Sequence, residues 1–151
     1  MLLYIDEAAQ HRELGEFLTT VNSAASRLQS AKCDIWTSRE LNEAEAVYGA
    51  YCKFCSYVDL FFVDPVVRAN FAQHEEFAQK LAALLKRAPQ ISAAAEFIVR
   101  RAHYDGKPGF YFTFELAGYG DDGEDAKKRW MIALTLIANA ILQLSASRVS
   151  N

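Results

Sequence analysis

The residues from Phe110 to Gly120 read FYFTFELAGYG, and they constrain this chain more than any other stretch. In an extended backbone Phe110, Phe112, Phe114 and Leu116 fall on one side and Tyr111, Thr113 and Glu115 on the other. Four large apolar side chains on one face need a core to cover them. A lone strand also leaves its backbone donors and acceptors unpaired. The chain must therefore supply a pairing strand and an apolar layer beneath it.

The segment just before, DGKPG (Asp105 to Gly109), is a turn, and EFIVRRAHY (Glu96 to Tyr104) supplies the partner strand. A hairpin centred on that five-residue turn sets Tyr104 opposite Phe110. It gathers Arg101, His103, Tyr111, Thr113 and Glu115 on the polar face. The alanines at 93–95 leave a short helix as the other reading of the segment's start.

Elsewhere the apolar spacing is three and four, the signature of helices packed on one side. Leu14, Phe17, Leu18, Val21 and Leu28 predict a helix from Asp6 to about Ser30. Thr37 and Glu40 have capping-box spacing, and Leu41, Ala44, Tyr48, Tyr51, Cys55, Val58 and Phe62 predict a long central helix over about 38–63. Asp64-Pro65 caps and starts a third helix reaching about Arg87. The acidic GYGDDGED segment ends the last strand and begins a fourth helix over about 124–144. The expected fold is α-rich α+β: a bundle of about four helices, with a small antiparallel hairpin (about 96–104 and 110–118) between helices three and four.

With 151 residues, 52% hydrophobic, and only seven glycines and three prolines, the chain reads as a single compact domain over residues 1–151. A net charge of −3 and a pI near 5.6 argue against a nucleic-acid partner. The acidity is concentrated: residues 1–64 carry ten acidic and five basic side chains, a balance compatible with a basic protein surface as partner. The run WMIALTLIANAILQL, Trp130 to Leu144, is short of a membrane span, and Thr135, Asn139 and Gln143 stripe it with polarity. It predicts a buried or interface helix and no membrane association. The start, MLLYIDEAAQHR, lacks the basic and apolar regions of a signal peptide. With three cysteines, an odd number, the expected compartment is the reducing cytoplasm.

Motifs that carry chemistry are few. Cys52 and Cys55 have the C-x-x-C spacing of redox dithiols and zinc knuckles. Placed inside the predicted central helix they lack a helix N-terminus, and no second ligand pair exists, so both read as core residues. HEEF at His74 lacks the second histidine of a zinc-protease helix, and DDGED lacks the alternating ligands of a calcium loop. No cofactor or metal site is expected.

The expected function is a non-enzymatic cytoplasmic protein-binding module. It would act by surface occlusion as an inhibitor, an immunity- or antitoxin-like protein, or an adaptor. Its candidate partner-binding residues are Arg101, His103, Tyr111, Thr113 and Glu115, since Arg and Tyr are favoured in interface hot spots. The alternative is a small helical ligand-binding protein or enzyme, with its pocket between the Tyr-rich central helix and the C-terminal helix. A homodimer through Ile137 and Ile141 of the apolar last helix is compatible with either.

Overall fold

The computed structural model describes residues 12–38, 51–87 and 93–147. Along the chain these form α1 (Arg12–Val21), β1 (Leu28–Ser38), β2 (Cys52–Phe62), α2 (Pro65–Arg68), α3 (Phe71–Leu85), β3 (Ala93–Tyr104), β4 (Lys107–Gly120) and α4 (Gly123–Ser147). The four strands make one antiparallel sheet in the order β1-β2-β4-β3. The expected helical bundle with a small hairpin is therefore overturned. The sheet organises the molecule, and it is complete before the last helix is laid across it.

The central helix is where the expectation fails. Residues Cys52–Phe62 are β2, a sheet-centre strand, while 39–50, including Glu40 of the capping box, lie outside the described residues. Thr37 of that box belongs to β1. A centre strand has neighbours on both sides, so its outward side chains, Tyr57 and Phe61 among them, are half-buried between those of β1 and β4 and carry apolar groups that mask the two-residue period. In β2 every residue is buried or half-buried, and the three/four spacing arises by coincidence.

β1 hides its period for another reason. Its register with β2 shifts between Ser30 and Cys33, so Ala31 and Lys32 together oppose one residue, Asp59. Such a bulge breaks the alternation that marks a strand. Leu28 and Cys33 are consequently core residues on either side of a parity change.

The helices are closer to expectation. α1 ends at Val21, well before Ser30. The third helix is two pieces: Asp64 caps α2 by accepting from the Val66 N–H at 2.9 Å, and Asn70 caps α3 by accepting from the Gln73 N–H at 3.1 Å. α4 starts under an Asp122 cap that accepts from the Asp125 N–H at 2.8 Å. Asp125 in turn accepts from the Asp121 N–H and from Arg129, which together hold its carboxyl below the usual carboxylate range.

α1, α3 and α4 cover the inner face of the sheet, making a two-layer fold. Phe54, Val58, Leu60 and Phe62 of β2 and Phe112, Phe114 and Leu116 of β4 point into it and are buried. Trp130 of α4 is fully buried: its ring lies 4.8 Å from that of Phe54, and its indole N–H donates to Ser56 Oγ at 2.8 Å. α4 reaches this position because Gly118 has no side chain; a Cβ there would sit 2.4 Å from the Ala126 carbonyl oxygen and the Trp130 nitrogen. Thr135, Asn139 and Gln143 form the exposed stripe of α4. By length and composition Gly123–Ala146 is a helix that can cross a membrane, and 44% of its most apolar window is buried within the fold.

Candidate functional site

The outer face of the sheet carries the polar chemistry. Strand alternation directs Tyr57, Asp59 and Phe61 of β2 and Tyr111, Thr113 and Glu115 of β4 to this side. Between the bulge in β1 and the β3–β4 hairpin lies a hollow of about 520 Å³, bordered by Lys32, Asp59, Phe61, His103, Tyr104 and Tyr111. The bulge shapes one wall, since two residues there occupy the length of one and bend the strand.

Two interactions give the hollow its form. Arg100 Nε donates to Thr113 Oγ1 at 2.8 Å, and Thr113 donates to Asp59 Oδ1 at 2.9 Å, so one polar chain crosses β3, β4 and β2. At the neighbouring end of the sheet, the Arg68 guanidinium lies 5.2 Å from the Phe61 ring centre and 5.1 Å from that of Tyr104. Arg68 is held there by donating to the backbone carbonyls of Phe62 at 2.7 Å and Val63 at 3.2 Å. The Tyr104 hydroxyl donates to the Phe110 carbonyl at 2.6 Å; burial pushes its phenol pKa up, with Arg68 pulling the other way. Beside this stack Val63 and Val66 are exposed, Val66 at 74%.

The expected polar face is split by register. The hairpin turns on two residues, Asp105 (φ 52°) and Gly106 (φ 80°), the positive-φ pair of a type I′ turn. Tyr104 therefore pairs with Lys107, and Arg100, not Arg101, stands beside Tyr111. A shift of three residues reverses the parity of β3 against β4. Tyr111 and Thr113 remain on the outer face, and Glu115 lies farther along it, directly opposite Glu96. Arg101 goes to the other face of β3 and does not join them; His103 shares that parity yet borders the hollow at the hairpin's end. On the outer face it is Arg100, not Arg101, that reaches β4, by donating to Thr113.

Ile137 and Ile141, expected at a dimer interface, are 1% and 0% exposed and belong to the core. Among the described residues, 52–62 of the Tyr-rich helix that was to wall the expected pocket form β2 instead. α4 packs directly on β2 there, through Trp130.

Cys52 and Cys55 are buried free thiols on a strand, where positions three apart point to opposite faces. Cys52 has the parity of Phe54, and Cys55 lies across the outer face from Trp36 and Ala117. The C-x-x-C spacing therefore cannot bring the two sulfurs to one ligand. Among the described residues no three His, Cys, Asp or Glu side chains converge to hold a metal ion.

Asp59, Phe61, Arg68, Arg100 and Tyr104 are the site residues that sequence reasoning missed. One signal was available: Asp-Gly between two strand-like runs is the strongest short hairpin mark, and it sets Arg100 beside Tyr111. Asp59, Phe61 and Arg68 offered none, since they arrive from a strand read as a helix and from the end of the short helix after it. No family model matches the chain, and neither does a curated protein or a solved structure.

Proposed function

We propose that this chain is a non-enzymatic protein-binding module that works by surface occlusion, covering part of a partner with the outer face of its sheet around the hollow. The observation that carries this reading is the stack of Phe61, Arg68 and Tyr104. An arginine is held by backbone hydrogen bonds over two adjoining aromatic rings, whose centres are 6.4 Å apart, and Val63 and Val66 nearby in the chain are exposed. Aromatic residues and arginine concentrate in the cores of protein interfaces, and a pre-ordered side chain loses less entropy on binding. An inhibitor, an immunity- or antitoxin-like protein, or an adaptor would use such a surface in this way. The test is capture with the immobilised wild-type chain from its source cells, then titration of the captured protein against Phe61→Ala and Tyr111→Ala variants of confirmed fold. Each variant is expected to weaken binding by about tenfold or more. A captured protein that binds both variants as tightly as wild type overturns the assignment of this surface.

The volume of the hollow favours a second reading. Ligand pockets run to ~300–1,000 Å³ and are lined by aromatic groups with a few polar ones, which describes this hollow of about 520 Å³. A small molecule retained in native mass spectrometry of the wild-type chain, and lost from Tyr111→Ala, would select this reading over the first.

A further inference from the structure

The two outer strands of the sheet leave their far edges differently. β1 is interrupted by its bulge and carries Lys32 there, the usual devices that keep an edge from pairing with another chain. β3 pairs with β4 at every one of its twelve residues, without a bulge. No described strand lies beyond it. Phe97, Ile98 and Val99 at its centre are only half-buried, and Ala94, Ala95, Glu96, Arg100 and Arg101 around them are exposed.

The backbone of β3 limits what this edge can take. A two-residue turn makes Tyr104 and Lys107 a hydrogen-bonded pair, so the even-numbered residues of β3 bond to β4. Phe97, Val99 and Arg101 then direct their N–H and C=O groups outward. A second copy of β3, run antiparallel about a two-fold axis, must match odd residues with odd ones.

Charge selects among the registers that satisfy this. Centring on Glu96, Arg100 or Arg101 sets like charges against each other, and centring on Phe97 or Val99 leaves Glu96 and Arg100 opposite uncharged residues. Centring on Ile98 sets Glu96 of each copy opposite Arg100 of the other, on the outer face, and Phe97 opposite Val99 on the inner face. Glu96 also stands directly across from Glu115 within its own chain, a like-charge pair that a partner's guanidinium would relieve. Arg100 uses its Nε on Thr113, and its two terminal amino groups have no hydrogen-bond or ion-pair partner among the described residues.

We infer that β3 is a self-association edge: two copies join antiparallel about Ile98, giving one continuous eight-stranded sheet closed by two Glu96–Arg100 pairs. The partner is a second copy of this chain because the edge is complementary to itself in charge and in apolar content.

Analytical ultracentrifugation of the full chain from micromolar to near-millimolar concentration tests this. Wild type is expected to show a reversible monomer–dimer equilibrium. E96K is expected to raise the dissociation constant by about tenfold or more, since it reverses both interchain pairs at once. That substitution relieves the repulsion with Glu115 within the chain, and a loss of dimer with an unchanged circular dichroism spectrum reports the interchain pairs alone. R101P removes an N–H that β4 does not use and is also expected to weaken the dimer. E96K combined with R100E restores both pairs in opposite sense and is expected to bring the dimer back. A wild-type chain that stays monomeric throughout overturns the inference, and so does a dimer that E96K and R101P leave unchanged.

Discussion

The inner and outer faces of β2 and β4 are built from alternate residues of the same two strands, yet they hold their shape by different means. Inside, Phe54 meets Trp130, Phe114 meets Phe17, and Phe112 lies among Phe62, Phe77 and the half-buried Phe97, all by ring contacts and, Phe97 apart, with almost no exposed surface. Outside, half-buried Asp59, Phe61 and Tyr111 are arranged by hydrogen bonds and by a guanidinium lying over two adjoining rings. Apolar packing is non-directional and scales with the area removed from water, so the inner face holds the fold. Hydrogen bonds add less net stability but specify geometry, which suits a face that recognises.

That contrast can be broken most directly at Trp130. Trp130→Ala deletes the largest fully buried side chain among the described residues and leaves Ser56 without its donor, so a loss of about 3–5 kcal/mol is expected. Urea denaturation measures it, and a loss under about 1 kcal/mol would mean that α4 does not seal the inner face.

The next test uses His74, a histidine buried on the inner side of the sheet. His74 is fully buried with its ring against Phe62, Phe110 and Phe112, and Nδ1 donates to the Asn70 carbonyl at 2.8 Å. Nε2 has no hydrogen bond of good geometry. Burial lowers the His74 pKa below its ordinary 6.5, with the Asn70 and Phe110 backbone partly offsetting this. Above pH 6.5 both folded and unfolded states are neutral there. As pH falls below that value the unfolded chain gains a proton that the folded chain resists, so stability declines down to the folded pKa. Denaturation midpoints from about pH 7 to about pH 5 should fall less for His74→Phe than for wild type. Parallel curves would show that His74 titrates freely.

On the outer face Thr113→Val keeps the shape of the side chain and removes the link between Arg100 and Asp59. An expected cost of about 1–2 kcal/mol, with α4 packing unchanged by near-ultraviolet circular dichroism, would fit the division between faces. Loss of the aromatic signal would show that the outer network also holds the core.

The smallest effect tests both faces together. Cys52→Ala and Cys55→Ala should each cost about 1 kcal/mol, and their sum should match the double variant to about 0.5 kcal/mol, because the two side chains point apart. A larger coupling, or zinc bound stoichiometrically, would restore a shared chemical role for the pair.

Parts of this molecule are legible in local chemistry. Asp64 before Pro65 caps and starts α2, the acidic run before Ala126 starts α4, and the alternation from Phe110 to Leu116 marks β4 with its inner face correctly placed. Each signal lies within a few residues of its effect. β1 and β2 are not legible in the same way. The three/four spacing from Tyr51 to Phe62 suits a helix as well as a strand, and the choice falls to β4, which pairs with Cys52–Leu60 from about sixty residues away. The candidate site depended on that choice as well. Asp59, Arg68, Arg100 and Tyr104 come from three separate stretches, and a two-residue turn decides which arginine of the Arg100-Arg101 doublet joins them.

Taken alone, the sequence determined which residues are apolar enough to form a core, where α2 and α4 begin, and that Phe110 to Leu116 is extended with one face buried. Only the tertiary structure decided that Leu28–Ser38 and Cys52–Phe62 are strands, and which side chains share the outer face. The physical reason is that a helix satisfies its backbone within its own turns, whereas a strand is defined by partners distant in the chain. A one-residue change in that pairing exchanges every side chain between the core and the surface.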